Sequence, residues 1–157
     1  MNRTHNDLPE KVREQVAAAL NQLLADAADM TMQAKQAHWA VRGPSFIAVH
    51  KLFDEVYEHG GEWTDLIAER VAQLGGQPHG TLQAAAKSTR LDVYPLDLVA
   101  DKAHIERLSQ SLGKFGSYMR SAIEEFGRLG DPDSADLATE ISRAVDKDLW
   151  FVEAHLG

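Results

Sequence analysis

The sequence predicts an all-α protein, a four-helix bundle with a short extra helix in the crossover between helices two and three. Three observations carry this. Apolar residues recur at spacings of three and four along four long segments, Gly- and Pro-containing breaks separate those segments, and no stretch shows strand alternation or a repeat at solenoid period. At 157 residues the chain is one domain, 1–157, long enough to bury a core, with residues 1–8 as a short N-terminal tail.

The first helix opens at Asp7-Leu8-Pro9-Glu10, where Asp7 suits the N-cap, Pro9 the first turn and Glu10 the capping-box partner. Val12, Val16, Leu20, Leu23, Leu24, Ala27 and Met30 mark its core face, and the pattern runs on to Val41, where Gly43-Pro44 ends it. This gives a helix of about 45 Å. Ser45 suits the cap of the second helix, which carries Phe46, Val49, Phe53, Val56 and Tyr57 before a Gly60-Gly61 pair and Trp63, Leu66, Ile67, Val71 and Leu74 after it. Gly75-Gly76 stops it. Between Gly75 and Pro95 only Leu82 to Lys87 reads as helix, so the connection is a long crossover. Such a crossover lets helices two and three run parallel while the other neighbours are antiparallel, the arrangement of a ferritin-like bundle. The third long helix is expected from Leu96 to about Phe126, and a fourth from Asp133 or Ser134 through Val152.

The formal charge is -8, with 24 acidic residues against 16 Lys plus Arg, which argues against a surface built to neutralise phosphates and suits the collection of cations. No cysteine is present, so disulfides and thiolate metal sites are excluded and the chain suits a reducing cytosol. The N-terminus has no apolar signal-peptide core, and no run approaches a membrane span.

Five residues stand out as candidate metal ligands: His38, His50, Asp54, Asp65 and Glu69. Side chains four apart stack on one helix face, so His50 with Asp54, and Asp65 with Glu69, each form a half-site on the same stripe of the second helix. The centres of the two pairs are about 22 Å apart along the axis, too far for one centre. A second, antiparallel copy of the helix about a two-fold axis would bring one chain's first pair to the other's second pair. The axis would cross between His59 and Gly60, the midpoint of the four positions, and two glycines costing about 1 kcal/mol each in a helix would be accounted for by close approach there. The turn at Gly43-Pro44 lies midway between His38 and His50, so folding back brings both imidazoles to similar height. A single His–carboxylate pair is ordinary helix decoration; the conjunction of five groups is not. With imidazole and carboxylate donors and no sulfur, Fe(II), Mn(II) and Zn(II) all fit. Glu-x-x-His, the motif of a di-iron site inside one bundle, is absent.

The strings KQAHWAVRGPSFIAVH, Asp54, DLIAERVAQLGG from Asp65, YPLD from Tyr94 and DLWFVE from Asp148 resemble the Dps family, the DNA-binding proteins from starved cells or mini-ferritins. The resemblance runs from Leu20 to Leu156 and fills all five ligand positions. It implies a hollow homo-dodecamer with a dinuclear ferroxidase centre at each two-fold, oxidising Fe(II) to Fe(III), preferably with hydrogen peroxide, and storing ferric mineral inside. His38, His50 and Asp54 would come from one subunit and Asp65 and Glu69 from its mate, with Glu69 bridging the irons.

The same resemblance makes Trp39 an aromatic neighbour of the centre and places Asp131, Asp133 and Asp136 where three-fold pores admit iron. Interface packing of Trp39 and helix-dipole complementarity of the aspartates are the competing readings. His59 is either an auxiliary ligand or a solvated histidine. The tail departs from DNA-binding members, offering only Arg3 and His5 where they carry lysines. A nucleoid-associated protein acting through DNA, and a helical oligomer with structural zinc, are the alternative functions.

Overall fold

Each segment of helical periodicity becomes a helix in the computed structural model, which describes residues 1–157. The elements are α1 (Glu10–Ala40), α2 (Phe46–Gln73), α3 (Leu82–Ser88), α4 (Asp101–Leu129) and α5 (Pro132–Glu153). Their apolar stripes close on one core in which Leu20, Leu24, Met30, Phe53, Ile67, Leu112, Phe115 and Phe126 are fully buried. No helix is long and apolar enough to cross a membrane.

Polar ties between helices give their directions. Arg70 to Asp131 and His59 to Asp148 run α2 antiparallel to α5, while Gln33 to Ser111 and, further along the chain, Arg42 just past α1 to Val99 just before α4 run α1 antiparallel to α4. The short turn after Ala40 makes α1 and α2 antiparallel, so the diagonal pair α2 and α4 is parallel, as the long crossover requires. The crossover is pinned rather than slack. Fully buried Asp26 of α1 accepts from the backbone N–H of Arg90 at 2.7 Å and from its guanidinium at 2.5 and 3.0 Å. Further along, the hydroxyl of buried Tyr94 donates to His104 Nδ1 (2.8 Å), whose Nε2–H donates to the Leu98 carbonyl (3.1 Å). Burial holds the His104 pKa below its usual value, consistent with that neutral tautomer.

Helix starts are where the structure departs from the expectations. Third-helix geometry begins at Asp101, not Leu96, because the carbonyls of Leu98 and Val99 are spent on His104 and Arg42 instead of on helical amides; Leu96 and Val99 are exposed. The last helix starts at Pro132, one or two residues earlier than expected, and is capped by Asp131, whose carboxylate accepts from the Ser134 N–H. Neither Asp7 nor Ser45 supplies a side-chain cap. Residues 1–8 lie against the bundle: the Asn2 N–H donates to the Gly75 carbonyl (2.6 Å), and Arg13 bridges the carbonyls of Leu8 and Leu74.

Candidate metal centre

A helix leaves its last carbonyls without internal partners, and α1 uses one of them to build the site. The His38 carbonyl, in that last turn, accepts a hydrogen bond from His50 Nδ1 at 2.8 Å, and the His50 carbonyl accepts one from His38 Nδ1 at 2.7 Å. A carbonyl only accepts, so both Nδ1 atoms carry the proton and both Nε2 lone pairs are free, the state in which imidazole binds a metal. The rings stack with centroids 3.8 Å apart and planes 21° from parallel, and Phe46 packs against His50 at 5.0 Å.

Asp54, one turn beyond His50, brings its carboxylate within 3.9 Å of His38 Nδ1. Lys35 Nζ lies 2.5 Å from its Oδ1 and 4.3 Å from the centre of the Tyr57 ring. The Lys35 hydrogen bond holds the Asp54 carboxyl below its usual range against the cost of burial. Lys35 was not among the sequence candidates, although it precedes His38 by three and therefore shares its helix face.

Asp65 and Glu69 stand exposed on α2, with Asp65 about 16 Å along the helix from Asp54. Within one chain, no three histidine or carboxylate side chains converge as a metal site. The fold thus brings His38, His50 and Asp54 near one another without converging them as a complete ligand set, and leaves Asp65 and Glu69 apart from them. Trp39 is 63% exposed beside His38.

Gly60 corrects the expectation of close approach at an intersubunit axis. It is buried inside the chain, where an added Cβ would sit 2.5 Å from Thr31 Oγ1 and 3.2 Å from the Thr31 backbone, so it lets α1 approach α2. Gly61 is exposed with nothing near it, and only this glycine faces outward. His59 is half-exposed but not free: its Nδ1 bonds Asp148 at 2.9 Å beside a cleft of about 250 Å³ that also includes Glu62, Trp63 and Glu140. Burial raises the Asp148 pKa, with His59 opposing. A raised carboxyl contributes its full stability below the usual carboxylate range and loses it as pH rises through the raised value. Asp148→Asn is therefore expected to flatten the dependence of Tm on pH across that interval; an unchanged profile in thermal melts would count against it.

Of the three aspartates expected near a pore, Asp131 is buried and consumed by Arg70 and by the α5 cap. Asp133 and Asp136 are exposed and share a shallow cleft with Glu69 and Glu140.

Residues 17–157 match the family model for the ferritin-like domain. The chain is similar to the DNA protection during starvation protein of Agrobacterium fabrum, with 43% identity over 98% of this chain and 95% of that one. Among solved structures, the tetragonal form of Mycobacterium smegmatis Dps superposes with a TM-score of 0.94 at 33% identity, covering 99% of this chain and 94% of its own. Dps from Microbacterium arborescens in its high iron form gives 0.88 at 33% identity, covering 96% and 97%.

Proposed function

The chain belongs to the Dps family of ferritin-like proteins, and from that premise we propose that it is a ferroxidase that detoxifies peroxide and stores iron in a homo-dodecamer. The observation carrying this reading is the pair of crossed bonds between the histidines and each other's carbonyls. Two Nε2 lone pairs are left free, and Asp54, one turn beyond His50, adds a carboxylate to the half-site, an N and O donor set suited to ferrous iron. That half-site has too few donors to hold two ions, and Asp65 and Glu69 are exposed on the same helix, available to a two-fold mate. Iron is here the substrate. Two ferrous ions each give one electron to hydrogen peroxide, which takes up two protons and leaves as two waters, so no hydroxyl radical is released. A bridging Glu69 would keep the ions close enough for one oxidant to meet both.

Sedimentation tests the assembly and stopped-flow mixing tests the chemistry. Twelve chains of 17.3 kDa make a particle of about 200 kDa, and the particle is expected to consume peroxide only when ferrous iron is present. A particle of that size that takes up Zn(II) but leaves peroxide and ferrous iron unreacted would leave the structural-zinc reading standing.

Action mainly through DNA is the weaker reading for two reasons. The subunit carries a formal charge of -8, repeated in every copy, and the tail that would have to reach a duplex is tethered through Asn2 to Gly75. Retardation of linear DNA is expected, at most, at low salt and lost at about 0.15 M, where charges separated by more than about 8 Å are screened. A shift persisting there would favour the DNA-directed function.

A further inference from the structure

We propose that Asp101, the first residue of α4, is a positioning residue that sets the geometry of the His38–His50 pair from outside it. This rests on the reading of that pair as metal ligands.

The two histidines are joined by a turn with little apolar anchorage. Val41 and Val49 are buried at its ends, but Arg42, Gly43, Pro44, Phe46, Ile47 and Ala48 are exposed. What fixes the turn is polar and comes from α4. The Arg42 N–H donates to the Val99 carbonyl (2.9 Å), and the Asp101 N–H donates back to the Arg42 carbonyl (2.7 Å), forming an isolated parallel bridge between Arg42 and Ala100. The Asp101 carboxylate then spans the gap, with Oδ2 accepting from the Ser45 N–H and Oδ1 from the Lys102 N–H, both at 2.8 Å.

One carboxylate thereby serves the amino ends of two helices. α2 needs it, since Ser45 makes no side-chain cap and the first turn of α2 holds no acid. Negative charge at a helix amino end is favourable, and here both α2 and α4 present theirs to the same group. The amide donors, Ser45 first, hold the Asp101 carboxyl below its usual range, so the clamp stays charged through neutral pH. Gly43 is fitted to it: φ is +145°, and an added Cβ would fall 2.5–2.7 Å from the carboxylate atoms.

The consequence reaches the rings through the backbone. His38 lies in the last turn of α1 and His50 in the second turn of α2, and each ring is held by the other residue's carbonyl. The crossed bonds therefore survive only while the two helix ends keep their separation. A turn free of α4 lets them drift and the two Nε2 vectors diverge.

Equilibrium binding of Co(II) to the assembled, iron-free protein tests this, because the ligand-field bands report donor geometry as well as occupancy. Asp101→Ala is expected to weaken Co(II) binding by about tenfold, in the range of other supports lying behind metal ligands, and to shift the bands. Asp101→Asn keeps an acceptor for Ser45 and should recover most of both. Asp101→Ser can still serve α4 but is too short to reach Ser45, and carries the test if the alanine variant fails to assemble. It should behave as alanine does. Wild-type affinity and bands in an assembled Ala or Ser variant would overturn the positioning role. The metal-centre reading fails separately, on a different result: Co(II) bands absent from the wild-type protein or unaltered by His50→Ala.

Discussion

Mixed particles assembled from His50→Ala and Glu69→Ala chains are expected to regain ferroxidase activity that neither variant has alone. Each variant by itself should lose about a hundredfold or more in the rate of ferrous oxidation, since each removes a ligand outright rather than a support behind one. In an isologous pair the two seams are equivalent. A pair of one His50→Ala chain and one Glu69→Ala chain therefore contains one centre with both defects and one with none. Random pairing restores about a quarter of all centres. Dissociation to monomers and joint reassembly, followed by stopped-flow oxidation, reads this directly. If the five residues acted within one chain, mixing would restore nothing, so an inactive mixture of correctly sized particles would reject the shared centre.

Gly60→Ala and Gly61→Ala are expected to act in opposite directions although the positions are adjacent. At Gly60 the new Cβ meets the Thr31 side chain at 2.5 Å and the Thr31 Cα at 3.2 Å. Rotating a hydroxyl cannot relieve contact with backbone. Thr31 is further committed, donating to the Ala27 carbonyl at 2.7 Å and lying 3.4 Å from the Thr64 hydroxyl. Overpacking of this kind costs about 1–3 kcal/mol, only partly offset by the gain of about 1 kcal/mol from alanine in a helix. Melting should fall by several degrees, at about 2–4 °C per kcal/mol for a chain of this size. Gly61→Ala meets nothing within 4 Å inside the chain and should raise the melting point of the subunit. If position 61 lies against a mate, as the midpoint of the ligand pairs implies, sedimentation will show weaker assembly in that variant while the isolated fold gains. Unchanged assembly would place the axis elsewhere.

What was legible followed from spacing. The four long helices, most of their core faces, the short helix near Leu82 and the fold class are consequences of apolar residues at three and four, and the structure contains them, although Phe46, Leu66 and Trp150 stay exposed. The pairing of His50 with Asp54 and of Asp65 with Glu69 on common faces of α2 was legible for the same reason, since positions four apart must share a helix face. The helix starts were not. A residue becomes the first of a helix when its neighbours' carbonyls lack better partners, and at Leu98 and Val99 those partners are His104 and Arg42, remote or on another element.

By itself, then, the sequence determined that this is an all-α bundle and that its His and carboxylate side chains are distributed along α2 too far apart for one chain to close a centre, because helical rise and rotation are fixed by the backbone. Only the tertiary structure decided which nitrogen of each histidine is free, that Lys35 holds Asp54, that Asp131 is buried against Arg70 and that Gly60 serves α1 rather than a neighbouring subunit. Each of these depends on a partner from another segment of the chain. Periodicity places a side chain on a face, but the group it meets across the gap is fixed only when the helices pack.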